Sequence, residues 1–168
     1  MEVGLYGRLL VKKPLVSVKN RAARVAFARA HASWTVQDWQ KVLWSDESKL
    51  YSFERHSLRP EVPVADREAW RGDVMVWGSF SGAGVGPLVR IRNTMTDPVY
   101  RDILATHLPQ FANNNLSQGW IFQQHNDPKH TSKVVRDWLA AHSVPVMNWP
   151  SQNPDLNPTE HLWEHIER

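Results

Sequence analysis

The chain contains no cysteine in its 168 residues. Disulfides, thiolate zinc fingers and thiol chemistry are therefore excluded, and a reducing compartment is allowed. No run approaches the ~20 apolar residues that a membrane-spanning helix needs. The opening MEVGLYGRLLVKKP has no long apolar core after a basic start, so it does not read as a secretory signal. A soluble, intracellular protein with no membrane partner is the default expectation. Net charge is also small, at +3, which by itself argues weakly for a nucleic-acid partner. Internal repeats and low-complexity tracts are absent, which leaves one domain long enough to bury a sizeable core.

What is present is distributed unevenly. Seven bases stand in the first 30 residues (Arg8, Lys12, Lys13, Lys19, Arg21, Arg24 and Arg29) against one acid, Glu2. A basic arm of that kind can neutralise phosphates. A solvated helix face is an equally good reading of the same charges. Nine tryptophans serve cores and stacking surfaces alike, so they do not choose between functions.

The pattern predicts an extended linker over 1–16, then a helix from Ser17 to His31. Thr35 to Asp38 resembles a capping box opening a short helix. Lys41 to Ser45 reads as a strand, Leu50 to Phe53 as a segment that pairs nearby, and 54–73 as an irregular loop. Val74–Phe80 and Val85–Ile91, joined by SGAG, form a hairpin. Its glycines do not make a phosphate loop, because no helix follows them. A helix is expected from Asp97-Pro98 to about Phe111, then a turn at Asn113–Asn115. A strand over Trp120–Gln124, a helix over Lys129–His142 and a strand over Val144–Trp149 follow. After a loop, a last helix starts at Asn157-Pro158 and runs to the end. This order suggests an α/β domain with a mixed sheet and helices on its faces.

Asp46 stands at the end of an apolar strand, where a polar strand end and a functional acid are both readings. Glu160 sits three residues after Asn157, the spacing of a helix cap with an acid at N3, which suits the helix dipole. Each residue has an adequate structural role by local criteria.

Three longer segments carry more information. They are VLWSDES (Val42 to Ser48), IFQQHNDPKHTS (Ile121 to Ser132) and WPSQNPDLNPTEHLW (Trp149 to Trp163). Together they resemble the catalytic core of Tc/mariner-superfamily DNA transposases, a resemblance that extends from about Gly4 to Arg168. It implies a ribonuclease-H-like fold and DNA cleavage with strand transfer, as in DNA transposition and integration. It also implies a nuclear location and DNA as partner, and leaves a homodimer open. Those enzymes hold two divalent metals, Mg²⁺ or Mn²⁺, on three carboxylates. Such a metal pair activates the nucleophile and stabilises the leaving oxygen. The first and third acids match as Asp46 and Glu160. The family's QQDN reads QQHN, which puts His125 in the second position. The 34 residues between His125 and Glu160 equal the interval this branch of the family places between its second and third acids. Asp127 is a further candidate ligand, but its interval is two residues too short and Pro128 stiffens the turn. Lys129 and His130 match contextual positions of the helix that follows. Lys129 joins Lys12, Lys13, Lys19, Arg21, Arg24 and Arg29 as a candidate phosphate contact.

Departures from the pattern shape the functional expectation. Imidazole favours Zn, Cu or Ni over Mg²⁺ and brings no negative charge. The Leu50–Gly72 segment is shorter than the family norm. The family's paired helix-turn-helix domains are not represented, and the chain stops two turns after Glu160. The domains expected are a basic linker and helix over 1–35 and a catalytic domain, truncated at its C-terminus, over 36–168. The expected activity is that of a DDE-type transposase, impaired in this copy by His125. The alternative is a non-catalytic DNA-binding remnant. A ribonuclease-H-type nuclease acting on RNA–DNA hybrids is a third reading, and it too needs an acid at position 125.

Overall fold

A computed structural model describes residues 16–51 and 73–166. The expected linker over 1–15 and most of the expected loop over 54–73 lie outside the described residues, as do Lys12 and Lys13. Helix α1 (Val18–Ala30) is capped by Ser17, whose side chain accepts the Asn20 amide. Helix α2 (Val36–Gln40) opens on the predicted capping box, with Thr35 and Asp38 bonding reciprocally. Strands β1 (Val42–Tyr51), β2 (Asp73–Ser81) and β3 (Gly84–Ile91) follow. The β2–β3 hairpin turns at Gly82-Ala83, and Gly84 takes a φ of 130°, which favours glycine there. Then come α3 (Asp97–Asn115), β4 (Ile121–Phe122), α4 (Lys133–Ala141) and α5 (Pro158–Ile166).

The sheet order is β3-β2-β1-β4, antiparallel except for the parallel β1–β4 pair. β1 sends alternate side chains to opposite faces. Leu43 joins Trp77, Tyr100, Leu104, Leu108, Phe122 and Leu139 in the core under α3 and α4. Val42 and Trp44 pack with Met147 and Trp149 on the other face, joined by Phe27, Trp34 and Trp39 from the α1–α2 region. No described helix is long and apolar enough to cross a membrane.

Several boundaries differ from the sequence reading. β1 runs six residues past Ser45, because β2 pairs it through Tyr51; Asp46 is thus inside a strand and not beyond its end. Asn113–Asn115 belong to α3, whose last turn persists through Leu116 N–H to the Ala112 carbonyl and Asn115 Nδ2 to the Phe111 carbonyl. α4 begins four residues later than expected. Asp127's carbonyl instead collects the His130 and Thr131 amides in a turn, and Ser132 caps the helix. The Val144–Trp149 strand is reduced to one bridge between Phe122 and Val146. Pro145 accepts the Phe122 amide but has no amide of its own, so the ladder cannot extend on that side.

Candidate active site

Asp46 lies where β1 passes beyond the short β4, and it is only 5% exposed. Glu47's amide donates to its Oδ1 at 2.8 Å. His125 Nδ1 stands 3.2 Å from the same oxygen. The Trp163 indole N–H donates to Oδ2 at 3.3 Å. Trp163 reaches it across β2 because the residue paired with Asp46 is Gly78. A Cβ at Gly78 would lie 2.5 Å from the tip of the Trp163 ring, so the glycine is required by close approach.

His125 follows β4 and the QQ pair. Gln123 is fully buried, and ties β4 to β1 by accepting the Ser45 amide and hydroxyl at its side chain and carbonyl. Gln124 accepts the Tyr100 hydroxyl and donates to the His130 carbonyl. His130 is 2% exposed and stacks on Tyr100 at 4.0 Å between ring centroids. Its Nδ1 lies 3.1 Å from the His125 carbonyl, and its Nε2 lies 3.1 Å from Glu47 Oε1. That last contact is close enough for an ion pair but out of line for a hydrogen bond. Adjacent acids on β1 thus each face a histidine, Asp46 with His125 and Glu47 with His130.

Glu160 stands in the first turn of α5, one turn before Trp163. Asn157 caps this helix, accepting the Thr159 amide at 3.1 Å. The Asn157 side chain also meets His125 Nε2 at 3.0 Å. Burial pushes the Asp46 carboxyl up to about 7, and the charges of Glu160 and then Glu47 add to it, while the Glu47 amide and Trp163 oppose. Glu160 is exposed, yet partial desolvation raises its carboxyl too. Burial lowers the His125 imidazole, and His130 adds to that effect against Glu47 and Asp127.

The structure therefore brings Asp46 and His125 into contact and sets the α5 turn bearing Glu160 close enough for its charge to act on Asp46. Asp127 turns elsewhere. Its Oδ1 accepts the Lys129 amide at 2.9 Å, and its Oδ2 lies 3.4 Å from Lys129 Nζ. Desolvation, which works to raise its carboxyl, is outweighed by Lys129 and His130, so it is lowered. Among the candidate phosphate contacts, Lys19, Arg21 and Arg29 are exposed on α1. Arg24 is not a free base. Its guanidinium forks onto Asp155 at 2.5 and 2.7 Å and donates to the Gln152 carbonyl at 2.8 Å. Lys129 is half-buried beside Asp127.

The donor set does not suit a pair of hard dications, which want several oxygen ligands. Asp46's oxygens are already engaged by three N–H or ring-nitrogen groups. The second position offers nitrogen. Among the described residues, no three His, Asp or Glu side chains are gathered tightly enough to hold a metal ion. Asn157, Trp163, Gly78 and Glu47 were not singled out from sequence as parts of the site, and His130 was noted only as a contextual match. Their positions inside the quoted segments were the available signal for Asn157, Trp163 and Glu47. Gly78 lies outside those segments and had none.

Comparison with known proteins agrees with this architecture. Residues 41–168 match the family model described as DDE superfamily endonuclease. The Tcb1 transposase of Caenorhabditis briggsae is 48% identical over 176 residues, covering 98% of this chain. The chain spans only 64% of that relative's length. A Mos1 transposase paired-end complex with its left transposon end superimposes with a TM-score of 0.69 at 17% identity, over 99% of this chain and 52% of that one. A Mos1 paired-end complex with Mg gives 0.68 at 18% identity, over 98% and 52%. The fold is thus the ribonuclease-H-like α/β fold of those catalytic domains. The chain belongs to the DDE superfamily endonucleases, among the Tc1/mariner transposases.

Proposed function

We propose that this chain is a DNA-binding transposase catalytic domain whose metal-dependent cleavage and strand transfer are lost or nearly lost. The observation that carries the reading is the contact between His125 and Asp46. A residue in the second acid position is spent on the first acid. Two carboxylates, Asp46 and Glu160, would have to offset the charge of two dications, and a neutral imidazole adds none. A protonated imidazole would make the balance worse. DNA remains the expected partner, met by the exposed bases of α1. Nuclear location and assembly as a homodimer belong to the same proposal.

The test is nicking of supercoiled DNA with Mg²⁺ and with Mn²⁺, for the unmodified chain and for His125→Asp. Little or no cleavage is expected from the unmodified chain, with any residual nicking appearing first with Mn²⁺, which tolerates nitrogen ligands better. His125→Asp is necessary for Mg²⁺-dependent activity. Robust Mg²⁺-dependent cleavage by the unmodified chain, abolished by Asp46→Ala, would overturn the proposal. A second reading, a DNA-binding remnant with no chemistry, is favoured by the same contact. It predicts that even His125→Asp cuts nothing while binding of DNA persists.

A further inference from the structure

Asn157 has contacts that leave its side chain one orientation. Its Oδ1 accepts the Thr159 amide at 3.1 Å. A backbone N–H can only donate, so the oxygen is identified by its partner. Nδ2 therefore faces His125 Nε2, 3.0 Å away. An amide NH₂ has two donors and no lone pair, so Nε2 must be the accepting, unprotonated ring nitrogen. In a neutral imidazole the single proton then resides on Nδ1. That nitrogen is 3.2 Å from Asp46 Oδ1.

We infer that Asn157 is a positioning residue that holds His125 as its Nδ1–H tautomer, so that the second-acid position turns the protonated ring nitrogen towards the first acid, Asp46. The direction of every hydrogen bond in the chain follows from the backbone end. Thr159 donates to Asn157 and Asn157 donates to His125, which leaves the ring proton on the nitrogen 3.2 Å from Asp46 Oδ1, within ion-pair reach. Asn157 is 1% exposed and Asp46 5%, so water does not readily replace either partner. Pro158, with φ fixed by its ring, starts the helix immediately after Asn157 and keeps the cap in register with the histidine. The arrangement also covers the ring's one lone pair. His125 can ligate a metal only by giving up the Asn157 amide, either directly through Nε2 or through Nδ1 after a tautomer change that sets Nε2–H against the same NH₂ group.

The inference does not depend on DNA binding or cleavage, so its test is separate from the nicking assay. Two-bond ¹H–¹⁵N correlation spectra of the uniformly ¹⁵N-labelled chain distinguish the two neutral tautomers and the imidazolium. The His125 signals are identified by their loss in His125→Gln. The unmodified chain near neutral pH is expected to show the Nδ1–H pattern. Asn157→Asp retains an oxygen for Thr159 and replaces the donor facing Nε2 with an acceptor. Nε2 is then expected to gain a proton. A packing role alone would leave the ring pattern as it was. An Nε2–H pattern in the unmodified chain overturns the inference. So does a folded Asn157→Asp variant in which Nε2 stays unprotonated. If Asn157→Asp does not fold, the spectrum of the unmodified chain decides the matter alone.

Discussion

Asp46 is a buried carboxylate surrounded by N–H groups, and its behaviour on substitution follows from that. In His125→Asp the Nδ1–H donor disappears and a second carboxylate faces the first. Two carboxylates facing each other in a partly buried site disfavour each other's charged form. The metal-free variant should therefore melt below the parent. Added Mg²⁺ should raise its melting temperature, because a ligand that binds only the folded state stabilises it by mass action. The unmodified chain should show little response. Thermal melts at graded Mg²⁺ check this, and equal responses of the two proteins would contradict it. The raised carboxyl also sets a pH dependence. Between its ordinary 3.8 and about 7, folded Asp46 holds a proton that the unfolded chain has released. Its contribution to stability is thus full below about 4, declines as pH rises towards 7, and then levels off. His125, lowered by burial, works the other way: its contribution is full above the ordinary imidazole range and is lost as pH falls. Urea titrations of the parent and of Asp46→Asn from pH 4 to 8 separate the two. The stability of the parent relative to the variant should fall as pH rises from about 4 to about 7 and then level off, at no more than about 1.4 kcal/mol per pH unit.

Elements governed by local chemistry were legible in the sequence, and those governed by partners were less so. The first helix, the Thr35–Asp38 box and the glycine-rich hairpin turn each depend on a few consecutive residues, and the structure has them within a residue of where the pattern put them. β1 was read short because its outer half, Asp46–Tyr51, is held by partners in β2 that lie 22 to 32 positions away. The strand at Val146 was read long because its hydrophobic run outweighs Pro145, which has no amide to give the ladder. The packing of α5 on the sheet depends on one such distant pairing. Gly78→Ala places a methyl against the Trp163 ring and should cost about 1–3 kcal/mol as an overpacked site does. Trp163→Phe removes the indole N–H and some bulk, and should partly relieve that strain. A double-mutant cycle by urea unfolding measures the coupling, and strict additivity would mean that Gly78 acts elsewhere. The Glu47–His130 contact is the corresponding tie between β1 and the turn before α4. His130→Ala removes a buried ring stacked on Tyr100 together with the group facing Glu47, and should destabilise by about 2–5 kcal/mol, as large-to-small changes in a core do.

At the scale of the whole molecule, the motifs located Asp46, His125 and Glu160, but not the contacts that connect them. Those contacts span up to 117 residues, as between Trp163 and Asp46, and residue types alone do not announce them. The same limit applies to the basic arm. Composition groups Lys19, Arg21, Arg24 and Arg29 as equivalent charges, yet the fold divides them. Arg24 joins α1 to the Pro150–Leu156 loop through Asp155 and Gln152. Asp155 is 60% exposed, so this tie is a modest one, worth under about 1 kcal/mol after screening by solvent. The other three bases project into solvent, where they can meet phosphate. Each phosphate neutralised on duplex DNA releases counterions and contributes about 0.9 to the slope of log affinity against log salt. Neutralising Lys19, Arg21 and Arg29 to Gln should therefore weaken DNA binding at low salt and flatten that slope, by up to about 0.9 for each residue that makes a contact. Arg24→Gln should change the slope little and instead increase amide exchange along α1. Because backbone contacts carry no base information, binding should be similar for unrelated duplexes. Fluorescence anisotropy on two unrelated sequences from low to moderate salt reads all three effects. An unchanged slope after the triple substitution, or tight preference for one sequence, would place the DNA on a surface other than α1.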